Sequence, residues 1–385
     1  VGAHPGGPPT GIDRFIDARF LPHLITREDR MPIVEHIKLP TFNNLRQRGQ
    51  EVLTLDRALT QDIRELHIGL LNMMPDAALR VTEQQFMRLI GNCNQIAQFY
   101  VHPFSLPGLS RSPATQAYIE QYYRPFDELR EEGLDALIIT GANVANPTLE
   151  EEHFWEPLTQ VIEWSKDNVT SVLCSCLATH ALMKHFYQVA RQPLPEKRWG
   201  VYPHRITQPG HPLLRDINTR FDVPHSRHNE ISREQFERAG LTILIESREA
   251  GVHMAVSHDQ FRYVYFQGHP EYDTNSLLKE YKREVNRFLN GERDLPPHPV
   301  NYFSPEAAAL ADRYLEEVFR ARRFSSNGDL PFPEEQMLPH IDNTWGDTSK
   351  ALFNNWLGLV YQLTHVNRRI LFIEGVDPDN PLGLL

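Results

Sequence analysis

Cysteine is scarce in this chain: its 385 residues include three, Cys93, Cys174 and Cys176. They are too few and too clustered to form a disulfide framework, so the expected setting is a reducing cytoplasm. No further cysteine or close histidine pair joins Cys174 and Cys176 to complete a four-ligand metal set, so no metal is expected. The first residues, Val1–Phe15, lack a basic stretch followed by an apolar one, so no secretory signal is expected. No run reaches the roughly 18 apolar residues that a membrane span requires. Positive charge is also short, with 39 Lys and Arg against 50 Asp and Glu and a formal net charge of −11. That balance speaks against a general binder of phosphate backbones and leaves room only for a local basic pocket. Neither a nucleic acid nor a membrane is expected as a partner. Internal repeats are absent, and the one biased tract is the Pro/Gly cluster at the N-terminus.

What the chain does have is the composition of an ordinary globular protein, 41% hydrophobic and 23% charged, with length enough for a sizeable core. Residues 1–30 read as an N-terminal extension, 31–370 as the main domain beginning at Met31-Pro32-Ile33, and 371–385 as a tail. Strands are expected at Leu66–Asn72, Ile96–Pro103 and Leu134–Thr140. Helical stripes lie between and after them, at Thr82–Gly91, in the Tyr-rich segment after Ala117, and at Phe154–Ser165. A polar loop is expected at Ser105–Ala117. The second half shows shorter strands, Arg205–Thr207, Leu241–Glu246, His253–Ser257 and Tyr263–Gln267, with Pro-rich loops at 193–213 and 295–305. Later helices are expected at Leu278–Leu289, Glu306–Arg323 and Ala351–Leu363, with a turn at 325–328. This alternation predicts the α/β class: a parallel sheet covered by helices on both faces, with peripheral helical and loop elaborations. Ligand sites in such folds lie at the carboxyl ends of the strands.

The most informative segment is Val169–Met183. It starts as an apolar, β-branched run, becomes small and polar at Ser175-Cys176, and continues as a helix former. A cysteine at such a strand-to-helix junction is placed as a nucleophile. Its thiolate is the reactive form, which a helix N-terminus and a neighbouring imidazole both favour. By itself the segment also fits a buried packing cysteine, and Cys174, inside the apolar run, reads that way. Far downstream, the strand Tyr263-Val264-Tyr265-Phe266 runs into Gly268-His269-Pro270-Glu271. His269 is the candidate base and Glu271 the carboxylate that would fix its tautomer. Asn143 and Cys176 both fall just past strand ends, as His269 does.

These residues resemble the homoserine O-acyltransferases of the MetA type, from about Met31 to near the C-terminus. The matching pieces include Leu70–Pro75, Thr140-Gly141-Ala142, Glu163–Asp167, Val169-Thr170-Ser171 and Gly200-Val201-Tyr202. They continue with Pro224-His225-Ser226-Arg227, Gly268–Asp273 and Leu352–Leu357. The resemblance implies a class I glutamine amidotransferase-like fold and a Cys-His-Glu triad of Cys176, His269 and Glu271. It also implies substrate contacts from Lys197, Ser226 and Arg283, the last suited to a carboxylate by its bidentate fork. The implied reaction is ping-pong: Cys176 takes an acyl group from acyl-coenzyme A, and His269 deprotonates the hydroxyl of homoserine, which receives it. The backbone N–H of Leu177 is the first oxyanion donor to propose. Acyl-CoA is then a co-substrate, with no permanently bound cofactor, and the family implies a homodimer acting in methionine biosynthesis.

Three positions depart from the family pattern. Asp76-Ala77-Ala78 stands where a lysine pair is common, in a slightly longer loop. Leu177 replaces the frequent Trp after the nucleophile. Ala145 occupies the acyl-selecting position, which is Gly in succinyl-transferring members and Glu in acetyl-transferring ones. Being small and uncharged, Ala145 favours succinyl, with acetyl transfer or a serine acceptor as alternatives. A glutaminase on the same fold is a further alternative, although Ser175-Cys176-Leu177-Ala178 lacks the glycines that commonly flank such a nucleophile. A non-catalytic binding protein is the third, and the complete Cys176, His269, Glu271 set speaks against it.

Overall fold

The computed structural model describes residues 33–93, 97–323 and 330–385. The expected extension over 1–30, the Met31-Pro32 start and the turn at 325–328 lie outside them. In chain order the first elements are β1 (Val34–Glu35), α1 (Pro40–Gln47), β2 (Leu53–Thr54), α2 (Leu55–Leu59), β3 (Glu65–Leu71), α3 (Asp76–Gly91) and β4 (Gln98–Phe104). Then come α4 (Pro113–Tyr122), α5 (Phe126–Glu132), β5 (Ala136–Ile139), α6 (Trp155–Asn168), β6 (Ser171–Ser175) and α7 (Leu177–Tyr187). The second half adds β7 (Gln192–Ile206), β8 (Arg220–Glu230), α8 (Arg233–Arg238), β9 (Thr242–Ser247), β10 (Gly251–Val256) and β11 (Tyr263–Phe266). Four helices follow: α9 (Ser276–Leu289), α10 (Pro305–Arg323), α11 (Glu334–Met337) and α12 (Gly346–Leu363).

A nine-stranded sheet runs β4-β3-β5-β6-β11-β10-β9-β7-β8, and β1 pairs with β2 apart from it. The neighbours from β4 to β11 are all parallel, and those from β11 to β8 are all antiparallel. The α/β class is as expected, and the sheet is mixed rather than parallel throughout. Strand alternation builds two cores. Leu173 faces a cluster with Phe86, Phe353 and Trp356, from α3 and α12. Val172 and Cys174 face the opposite cluster, with Leu158, Ala181 and Phe236 from α6, α7 and α8. Side chains of successive strand residues point to opposite faces, so one five-residue strand serves both layers. Burying each of Leu158, Val161 and Ile162 on the inner face of α6 contributes roughly 1.5–3 kcal/mol. A third cluster packs α9, α10 and α11 against Trp199 and Val201 of β7.

Three expectations need correction. The Pro-rich stretch after 193 is mostly strand: β7 pairs with β8 from Gln192 to Arg205, with a register shift between Pro193 and Arg198. Proline fits because β9 pairs only with Arg205 and Ile206, so most of that edge of β7 needs no sheet donors. In the middle of β7, Gly200, at φ 146°, lets the Val300 backbone approach; a Cβ there would sit 2.3 Å from the Val300 carbonyl oxygen. Second, Asp76–Ala78 is the first turn of α3, not a loop. Pro75 is its extended N-cap, and its carbonyl accepts from Ala78 N at 2.8 Å. Helix α4 likewise starts at Pro113, inside the expected polar loop, capped by Ser112.

Candidate active site

The exits of β5, β6 and β11, which are sheet neighbours, carry Gly141, Cys176 and His269 respectively. Cys176 stands alone between β6 and α7, with φ 51° and ψ −106°. A non-glycine residue held there stores on the order of 1–3 kcal/mol of strain, which the surrounding bonds must over-determine. Cys176 N donates to Phe266 O at 2.8 Å, tying the elbow to the end of β11. The Thr179 hydroxyl reaches Phe266 O at 2.8 Å and Cys174 O at 3.1 Å from the first turn of α7. No side chain caps this helix, so its first N–H groups face the space above the thiol. Gly141 runs beside them: a Cβ there would lie 3.9 Å from both Cys176 Cβ and Leu177 N.

His269 is buried, and its Nδ1 pairs with Glu271 Oε1 at 2.8 Å. With a carboxylate as acceptor, Nδ1 carries the proton, and the buried Nε2 is left without a hydrogen-bond partner. Burial pushes the imidazole pKa down, but the charge and hydrogen bond of Glu271, together with the charge of Cys176, raise it well above the ordinary value. Gly268 is required here. A Cβ would meet Val223, His225 and His253 at 2.7–2.8 Å, and the close packing lets His269 N donate to Pro224 O at 2.8 Å. Glu271 is fixed from α3, where Arg88 donates to its carbonyl at 2.9 Å and pairs with Asp273 at 3.0 Å. Cys174, two residues before Cys176, is fully buried and its thiol is pushed far up by burial, as fits a packing residue.

A second charged centre lies across the His269 ring. Tyr272 stacks on that ring at 4.3 Å and donates to Glu280 Oε1 at 2.7 Å. Ser226 donates to Glu280 Oε2 at 2.7 Å, and Lys197 reaches the same oxygen at 3.2 Å while lying over the Trp199 ring. Burial alone would raise the Glu280 pKa; Lys197, then Ser226 and Tyr272, hold it below the ordinary carboxylate value. Lys197 and Ser226 are therefore brought together, by the β7–β8 ribbon. Arg283 is not brought to the triad: its side chain is 58% exposed and pairs with the buried Glu284 at 2.9 Å. Ala145 is exposed in the loop after β5, where Glu152 Oε1 accepts from Ala145 N at 2.7 Å and Asn146 N at 2.6 Å. Sequence reasoning missed Glu280, Tyr272 and Glu152. The available signal for Glu280 was an acid on α9 that recurs four residues later at Glu284, on the same helix face.

Among the described residues no group of histidine, cysteine and carboxylate side chains fits a metal, and no helix is long and apolar enough to cross a membrane. Fold and site together define an α/β protein with a cysteine at a strained strand–helix elbow and a His-Glu pair on the neighbouring strand. Residues 32–366 match the family described as homoserine O-succinyltransferase, and the chain belongs to that family. A homoserine O-succinyltransferase of Methylococcus capsulatus is 60% identical over 92% of this chain and 100% of its own length. One from Thiothrix nivea is 59% identical over 92% of this chain and 98% of its own. Among solved structures, a glutamine amidotransferase from Methylobacillus flagellatus overlaps with a TM-score of 0.41 at 12% identity, covering 77% of this chain and 95% of that one.

Proposed function

We propose that the chain transfers a succinyl group from succinyl-coenzyme A to the side-chain hydroxyl of homoserine, through an acyl-cysteine at Cys176. The observation that carries this reading is the Cys176 elbow facing a His269 whose other nitrogen is held by Glu271. Family membership and the names of the relatives support the acyl group and the acceptor.

In the first half-reaction the Cys176 thiolate attacks the thioester carbonyl. The oxyanion forms beside the N–H of Leu177, and coenzyme A leaves as a thiol after taking the proton that His269 holds. In the second, His269 Nε2 takes the proton of the acceptor hydroxyl as it attacks the acyl-cysteine, and the thiolate is released. Glu271 keeps Nδ1 protonated through both steps, so Nε2 is the only nitrogen that cycles. Glu280 and Lys197 offer the acceptor's ammonium and carboxylate one partner each, with Ser226 between them. Arg283 would join that pocket by exchanging Glu284 for the substrate carboxylate. The acylated hydroxyl is a leaving group for later sulfur incorporation, which fits methionine biosynthesis.

The test is thiol release from succinyl-CoA or acetyl-CoA, with homoserine, serine or neither as acceptor. The expected outcome is fastest release with succinyl-CoA and homoserine together, and O-succinylhomoserine as product. Release of equal rate without an acceptor, or ammonia from glutamine with no thioester cleavage, contradicts the reading.

A further inference from the structure

Two arginines border the elbow: Arg191 bonds the loop after β5, which begins beside Cys176 at Gly141, and Arg227 bonds His225, which packs against Gly268 next to His269. Their surroundings differ. Arg227 is buried and fully engaged: it bonds His225 Nδ1, the carbonyls of Asn229 and Ala250, and Glu230. Arg191 is half-buried, just before β7, and among the described residues only its Nη2 is engaged, with the carbonyls of Asn146 and Pro147 at 3.2 Å each. No carboxylate lies within ion-pair distance of it among the described residues. Glu152, the acid that acts on it most, directs one oxygen at the backbone N–H groups of Ala145 and Asn146. The other cation near the site, Lys197, is held by Glu280.

We propose that Arg191 is the subsite for the distal carboxylate of the donor acyl group, bound through the Nη1 and Nε donors that it does not spend on the loop. The inference rests on the acyl-cysteine reading. A succinyl group on Cys176 ends in a carboxylate two methylenes beyond the carbonyl, and the loop after β5 that borders the elbow is the one that holds Arg191. A guanidinium matches a carboxylate with two parallel donors. Burial lowers the Arg191 pKa, while Glu152 and Cys176 raise it, so an anion at this place has a cation that is partly desolvated and waiting for it.

The test compares succinyl-CoA with butyryl-CoA, which has the same chain length and ends in a methyl group. Arg191→Gln keeps donors for the Asn146 and Pro147 carbonyls but removes the charge. It should lower kcat/KM for succinyl-CoA by about 10- to 100-fold and leave butyryl-CoA within about threefold. Arg191→Lys should recover part of the succinyl rate, since it restores charge without the fork. A thermal melt of each variant checks that it is folded, and the Lys variant carries the comparison where the Gln variant is not. Equal losses for both donors, or no loss for either, overturn the assignment. A wild-type protein that transfers succinyl to no acceptor overturns the underlying reading instead, before any Arg191 variant is made.

Discussion

The two halves of the sheet divide the work. The parallel half ends its strands at Gly141, Cys176 and His269, so the proposed nucleophile and base come from neighbouring exits of one layer. The antiparallel half contributes the long β7–β8 ribbon, which holds Lys197 and Ser226 against Glu280 and Tyr272. In the proposed mechanism one half makes the bonds, with a strained cysteine and a buried imidazole. The other recognises the acceptor, with paired charges that a charged substrate can exchange. The His269 ring, stacked on Tyr272, is the contact between them.

The largest effect should come from breaking the parallel half at its nucleophile. Cys176→Ala should lower kcat/KM by at least about 10⁴-fold, measured as thiol release. Glu271→Gln comes next, at about 10²- to 10⁴-fold, because the imidazole loses the partner that fixes its tautomer. That variant should also lower the His269 pKa, which the carboxylate raises in the native protein; the histidine ring resonances report it by NMR. Disturbing the recognition half should look different. Glu280→Gln should raise KM for homoserine about 10- to 100-fold with a smaller change in kcat. An equal fall in kcat with KM unchanged would erase the division between the halves.

Much of this was legible in the sequence, and the unequal legibility follows the same division. The apolar runs at Leu66–Asn72, Leu134–Thr140 and Val169–Ser175 mark buried parallel strands, and the small residues at the exits of the last two mark the site. The β7–β8 ribbon carries Pro193, Pro195 and Pro203 and pairs on one side over most of its length, so neither composition nor alternation announced it. The recurrence of an acid at Glu280 and Glu284 was a weak signal, because the significance of Glu280 depends on partners 54 and 83 residues away in sequence, Ser226 and Lys197. Asp76–Ala78 was misread because Pro75 looks like a loop residue, whereas an extended proline before a helix serves as its N-cap.

A smaller effect tests the buried histidines. Burial holds His204, within β7 of the ribbon, and His211 at about 4, against an ordinary value of 6.5. Between those values the unfolded chain binds protons that the folded one does not, so stability falls as pH drops from about 6.5 towards 4. Each such histidine contributes about 1.4 kcal/mol per pH unit over that window, and the urea midpoint should be lower at pH 5 than at pH 7. His269 acts with the opposite sign, since its folded pKa is raised. The smallest effect belongs to the neighbouring thiol: Cys174→Ala should leave kcat/KM within about twofold and cost about 1 kcal/mol of stability, read by denaturant melts.

The central claim is that the elbow at Cys176 carries the acyl group. Its most direct test is the intact mass of the protein after incubation with succinyl-CoA in the absence of homoserine. The account predicts a gain of one succinyl group, mapped to Cys176, lost on adding homoserine and absent in Cys176→Ala. A wild-type protein that turns over but never gains the group, or a gain that persists in Cys176→Ala, would contradict it.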